Sequence, residues 1–166
     1  MSIAVREPVP ADADAIADVH VATWREAYAH PLPEAYFSAD YVARRHRMWA
    51  HVLGEARADM TARVADDAGE IVGLAWAGPV DVLPSADAAP PRVRALYALY
   101  VLADRYGTGV GQALLDAALD GEPAMLWVAK ENPRATAFSR RNGFRFDGVE
   151  QTDPQAPSIT GARMVR

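Results

Sequence analysis

The sequence contains no cysteine. That absence excludes thiolate catalysis, disulfide staples, iron–sulfur clusters and cysteine-rich zinc sites. Long apolar runs are missing too: the longest, Ala95 to Ala103, is far too short to span a bilayer and is interrupted by Tyr97 and Tyr100. The N-terminus places Arg6, Glu7, Asp12, Asp14 and Asp18 where a signal peptide would need hydrophobic residues. A soluble cytoplasmic protein without a membrane partner is expected. Basic residues are outnumbered, 17 against 22 acidic, for a net charge of −5 and a pI near 5.3. General nucleic-acid binding, which needs a basic face to release counterions, is disfavoured. The four histidines show no ligand-like spacing, so no metal site is expected.

What is present is ordinary globular material. The chain has 166 residues, of which 51% are hydrophobic and 23% charged. A chain of this size buries about two-thirds of its surface around one core. No internal repeat or linker interrupts it, so a single domain over residues 1–166 is expected. The charge is uneven: residues 1–91 hold 7 basic and 14 acidic side chains, residues 92–166 hold 10 and 8. A polyanionic ligand would be better received by the second half and a cationic one by the first.

Periodicity divides the chain into alternating elements. Ser2 to Glu7 reads as a strand, and Pro10 opens a helix to about Ala29 with stripes Ile16, Val19, Thr23 and Val21, Trp24, Tyr28. A second helix lies within Ala39 to Ala56. Met60–Ala65 and Ile71–Ala77 form a hairpin around Asp66–Gly69, and residues 81–91 form a loop. Val93 to Val101 is a strand, Gly107 opens a helix to about Leu119, and Ala124 to Ala129 is a buried strand. Asn132 and Pro133 cap a further helix, which left-handed Asn142 and Gly143 end. Arg145–Gln151 and Gly161–Arg166 complete an α+β pattern.

One segment carries chemistry. The strand ending at Val101 leads through Leu102 to Tyr106 into Gly107, Gly109 and Gly111, which open a helix. Without Cβ atoms the backbone turns tightly and lets a phosphate approach N–H groups at the positive helix end. A Walker-type loop would need Lys-Ser or Lys-Thr where Gln112-Ala113 stands, and the glycine spacing does not fit a dinucleotide fingerprint.

Tyr106 to Gly111 resembles the central signature of the GNAT superfamily of acyl-CoA-dependent N-acyltransferases, Q/R-x-x-G-x-G/A. Gly109 and Gly111 match, and Tyr106 stands at the Gln/Arg position. Leu126-Trp127-Val128, Asn132-Pro133-Arg134-Ala135 and Phe138-Ser139-Arg140-Arg141-Asn142-Gly143-Phe144 look like the family's second signature. The resemblance implies a GNAT fold: a mixed, mostly antiparallel sheet of about six to seven strands, splayed in the middle and flanked by about four helices. It implies acetyl-CoA as co-substrate, no metal, and an amine acceptor, with a homodimer the common assembly. Tyr106, Gly107, Thr108, Gly109, Val110, Gly111 and Gln112 would cradle the pyrophosphate. Leu99 and Val101 would pair with the pantetheine arm, Asn132 would contact its amides, and an exposed N–H near Tyr100 would polarise the thioester carbonyl.

Two positions depart from the family. Ser139 stands where a tyrosine often protonates the leaving thiolate, and Ala95 where a glutamate often accepts the amine proton. Tyr97 shares the pleat face of Ala95 and is the alternative proton carrier, or a core tyrosine. Trp24 and Tyr28 could line an acceptor pocket, Glu26 could attract an amine, and Arg140 and Arg141 could meet CoA phosphates. The function these features imply is N-acetylation of a primary amine by direct attack in a ternary complex. The competing readings are a CoA-binding module with weak or no catalysis, or an acyltransferase using another acyl-CoA.

Overall fold

Apolar residues on the central strands alternate with respect to two different cores. Val64, Ile71 and Leu74 join one buried cluster, while Ala65, Val72 and Ala75 join another. A strand whose two faces are both buried belongs inside a sheet covered by helices on each side. The computed structural model, which describes residues 2–55, 57–80, 90–154 and 156–166, has this layering.

Seven strands form one open sheet in the order β1-β2-β3-β4-β5-β7-β6. They are β1 (Ile3–Arg6), β2 (Thr61–Asp67), β3 (Glu70–Pro79), β4 (Arg94–Val101), β5 (Met125–Ala129), β6 (Arg145–Thr152) and β7 (Thr160–Val165). Every neighbouring pair is antiparallel except β4 and β5. Helix α3 (Val110–Leu119) covers one face through the fully buried Leu114 and Leu115. Helices α1 (Ala13–Tyr28) and α2 (Ala39–Gly54) cover the other, where Ile16 and Trp49 are each 1% exposed. Helix α4 (Pro133–Arg141) lies over β5 and adds Phe138 to the α3 side of the core. No helix of the described residues is long and apolar enough to cross a membrane.

Local signals place these elements closely, with four differences. The 3-10 turn Pro10–Asp12 precedes α1, and a second one, Glu34–Phe37, fills the interval before α2. The hairpin turn is only Ala68-Gly69, both at positive φ (54° and 94°), because β2 continues through Asp67. Helix α3 starts at Val110 rather than Gly107, since Gly107 and Gly109 are left-handed (φ 78° and 87°) and cannot continue a helix. At the end of α4 only Gly143 is left-handed, and Asn142 has φ −99°. Of the expected loop 81–91, residues 81–89 lie outside the described residues.

Helices α1 and α2 are clamped by His46, whose two ring nitrogens meet Asp14 at 2.8 Å and Asp18 at 2.9 Å. Both nitrogens donate only when the ring is protonated, and the Asp14 bond foremost raises its pKa above the ordinary value. A raised folded-state pKa gives stability that is complete below the unfolded value and disappears as pH climbs through the folded one. His46→Ala should therefore cost about 0.5–1 kcal/mol at pH 5.5 and almost nothing at pH 9. Paired urea melts of the two proteins check this, and a pH-independent difference would show that the ring acts through packing alone.

Candidate active site

The parallel ladder between β4 and β5 contains two residue pairs, Ala95↔Met125 and Leu96↔Leu126. Beyond them the strands separate. Opposite β3, the register shifts at Trp76/Ala77, so that Tyr97 is an extra residue on β4 and bends the strand. Past the bulge, Leu102 N–H bonds Val72 O at 3.0 Å, and the register pairs Tyr100 with Leu74. Antiparallel pairing then turns the peptide groups of Tyr100 and Leu102 toward β3 and those of Leu99 and Val101 toward the gap. The N–H of Tyr100 itself thus points away from the gap, and its neighbours supply the open N–H groups.

A cavity of about 590 Å³ fills the gap. It is walled by Leu99 and Val101 of β4, Trp127 and Val128 of β5, the start of α3, one side of α4, and Trp24 and Tyr28 of α1. At one end lies the glycine loop. Ala113 N–H is the first to bond inside the α3 region, to Gly109 O at 3.1 Å, and no side chain caps the helix. The N–H groups of Gly107 to Gln112 thus have no protein acceptor among the described residues, and they converge at the positive end of the helix. A Cβ on Gly107 or Gly109 would meet nothing within 4 Å, so the space over the loop is open. Gly111 serves packing instead, because its Cβ would lie 3.6 Å from the Phe138 ring. Thr108 ties the loop by donating to Arg105 O at 2.7 Å, and the Gln112 side chain turns away to Asp116 and Asn142, 2.9 Å each.

Tyr106 replaces a cation-capable or amide side chain, yet a cation is present. The guanidinium of Arg134, from the first turn of α4, sits 4.1 Å from the centroid of the Tyr106 ring. Both line the cavity, and Arg134 makes no ion pair among the described residues. Sequence reasoning missed this residue, since the contact joins positions 28 apart in sequence on opposite sides of the gap. Arg141 also lines the cavity, whereas Arg140 lies outside its wall and stacks over Phe146.

The other singled-out residues are placed as follows. Asn132 accepts from Ala135 N–H at 3.1 Å, which caps α4, and donates from Nδ2 to the Tyr28 hydroxyl at 3.2 Å. Ser139 is buried at the cavity wall and donates to Ala135 O at 2.8 Å. Tyr97 donates to the carbonyl of Pro79 and packs against Trp76. Tyr100 is half-buried in the cavity wall, and desolvation pushes its hydroxyl up to about 12. Its ring lies 4.9 Å from that of His20, which accepts from Trp49 Nε1 at 3.1 Å and is pushed down to about 3 by burial. His20 is consequently neutral at physiological pH and carries no proton load. Glu26 accepts the Ala103 N–H at 2.6 Å, which anchors the turn that enters the glycine loop.

The sequence profile described as the acetyltransferase (GNAT) family matches residues 15–144. A probable N-acetyltransferase of Mycobacterium tuberculosis is 27% identical over 153 residues, covering 89% of this chain and 82% of that protein. The PaiA N-acetyltransferase of Thermoplasma acidophilum, solved in complex with coenzyme A, superposes with a TM-score of 0.73 at 18% identity over 98% of both chains. An acetyltransferase of Thermus thermophilus superposes with a TM-score of 0.63 at 23% identity, over 100% of this chain and 97% of that one. The splayed β4 and β5, the open amides of the glycine loop and these likenesses agree: the chain belongs to the acetyltransferase (GNAT) family.

Proposed function

We propose that this protein is a cytoplasmic enzyme that transfers the acetyl group of acetyl-CoA directly to a primary amine. The observation that carries the reading is the meeting of two sets of unused peptide groups in one cavity: the amides of Gly107 to Gln112, and those of Leu99 and Val101. The first set matches a pyrophosphate and the second an amide-bearing arm that adds to β4 like a strand. The complex of the Thermoplasma relative with coenzyme A supports this assignment. When bound, acetyl-CoA supplies an acetyl group activated as a thioester.

The chain's own residues would do the rest. Arg134, held against Tyr106, adds positive charge beside the loop amides. An N–H of Leu99 or Val101 faces the place where charge develops on the thioester oxygen. With no cysteine, and with the Ser139 hydroxyl proton committed to Ala135 O, direct attack by the amine is favoured over an acyl-enzyme.

Tyr28 is the group best placed to give the leaving thiolate its proton. Because the Asn132 oxygen is occupied by Ala135 N–H, its Nδ2 faces Tyr28, whose hydroxyl accepts and keeps its own proton to donate. A tyrosine at position 139 would lean toward the N-terminal end of α4. The Tyr28 hydroxyl reaches that same end from α1. Burial raises its pKa, which keeps it protonated at neutral pH. Tyr97, already donating to the Pro79 carbonyl, is less available.

Varying acetyl-CoA and an accepted amine together should give intersecting double-reciprocal lines with release of free thiol. Parallel lines would instead establish an acyl-enzyme. Tyr28→Phe should lower kcat by about 10²-fold with acetyl-CoA affinity unchanged, while Ser139→Ala changes it less than about tenfold. Equal losses in the two variants would remove Tyr28 from this role. In calorimetry, Arg134→Ala and Tyr106→Leu should each weaken acetyl-CoA binding about tenfold, without additivity in the double variant, as for two residues that act as one contact. Additive losses would mean that the two bind independently.

A further inference from the structure

The amine acceptor approaches the end of the cavity opposite the glycine loop, and that end is built of donors. Trp24 and Tyr100 stand in the cavity wall. One layer behind them, Tyr36 and Tyr41 lie with ring centroids 5.0 Å apart, and the Arg45 guanidinium sits 4.9 Å over the Tyr41 ring. Trp24 Nε1, the Tyr41 hydroxyl and Arg45 Nε are all buried and have no hydrogen-bond partner. The Trp24 N–H lies close enough to the Tyr100 hydroxyl to favour its ionised form, but without the alignment of a hydrogen bond. Among the described residues the one polar contact of Arg45 is a 3.9 Å approach of Nη1 to Met48 Sδ.

Several arginines of this acidic chain hold carboxylates. Arg6 pairs with Asp12 and Asp66, Arg25 with Glu34, and Arg105 with Asp67 and Asp104. Arg45 makes no ion pair among the described residues, although it is partly buried. The carboxylates that act on the cavity's tyrosines do not answer it. Glu26 holds the Ala103 N–H and Glu131 holds the Thr160 N–H.

Buried donors without acceptors are destabilising unless something supplies an acceptor, and a guanidinium beside an indole N–H and a hydroxyl suits a planar oxyanion. We propose that the acceptor is an amine that carries a carboxylate, of the amino-acid type, and that Arg45, Trp24 and Tyr41 form the site for that carboxylate. The carboxylate enters by displacing Trp24 from Tyr100, which brings Arg45 within reach. Tyr28 in the cavity wall then flanks the carbon skeleton and leaves the amine toward Leu99 and Val101. This assignment rests on the acetyltransferase reading and deepens it. It also reverses the expectation, taken from the acidic first half of the chain, that the acceptor would be cationic.

Products test it without turnover. Calorimetry of the wild-type protein with free CoA present would compare a panel of N-acetyl amino acids with their C-terminal amides and with N-acetylspermidine. At least one acid should bind ten or more times tighter than its amide. Arg45→Gln should abolish that preference, and Arg45→Lys should keep part of it, with melting temperature confirming that both variants fold. Equal binding of acid and amide, binding of N-acetylspermidine but of no acid, or a preference that survives Arg45→Gln would overturn the proposal. So would the absence of binding by every acid to a protein that binds CoA. Failure of the acetyltransferase reading would look different: the wild-type protein would neither bind acetyl-CoA nor release thiol with any amine.

Discussion

Everything at the site depends on where the ladder between β4 and β5 stops. A buried peptide group must find a partner, and in a continuous sheet Leu99 and Val101 would find theirs on β5. Here the parallel pairing ends at Leu96↔Leu126, and β5 takes its remaining partners from β7, up to Ala129↔Gly161. The peptide groups that face the gap are left for a ligand, and the chain beyond β4 delivers the glycine loop to the mouth of the same gap. The separation is built in by packing on both sides. The extra residue Tyr97 bends β4, and Phe138 of α4 wedges against Gly111 at the start of α3.

The two walls of the gap are joined across it by side chains rather than by backbone. Arg134 reaches Tyr106 at the loop end, and Asn132 reaches Tyr28 nearer the middle. Each pair links the first turn of α4 to an element on the other side. A cation over an aromatic ring is worth about 0.5–1 kcal/mol when exposed, weak enough to open for ligand entry and still hold the arginine near the loop amides. Asn132 is more constrained because its oxygen is also the helix cap, so capping and orientation of Tyr28 are a single requirement on one residue.

Local signals were legible in the sequence because they act within a few residues. The Asn132-Pro133 start of α4, the strand into the glycine loop, and the seven strands with four covering helices could all be read from spacing, caps and turn residues. The likeness to the GNAT superfamily then ordered them correctly. What could not be read were consequences of distant residues meeting. The resemblance implied an exposed N–H near Tyr100, and only the bulge and the pairing to β3 show that the N–H of Tyr100 itself is turned away while those of Leu99 and Val101 face the gap. Ser139 looked like a vacancy in the proton pathway. Only the fold shows that a phenol from α1, over a hundred positions away in sequence, arrives at the N-cap of α4.

Net charge says little about the site for a related reason. The 22 acidic residues give a formal charge of −5, with most of the excess in the first half. Many of those carboxylates are paired where they sit, Asp12 and Asp66 with Arg6, Asp14 and Asp18 with His46, Asp59 with Arg57. Fields at a site are set by charges that lack partners nearby, and by the dielectric between them and the ligand, rather than by a sum over the chain. Arg134 and Arg141 at the cavity and Arg45 behind its aromatic wall are unpaired among the described residues, and the α3 amides point the same way. An acidic protein thus keeps unpaired cations at and behind its cleft. Such a cleft would suit the proposed phosphate-bearing donor at one end and the proposed carboxylate-bearing acceptor at the other, provided that the reacting amine lies between them.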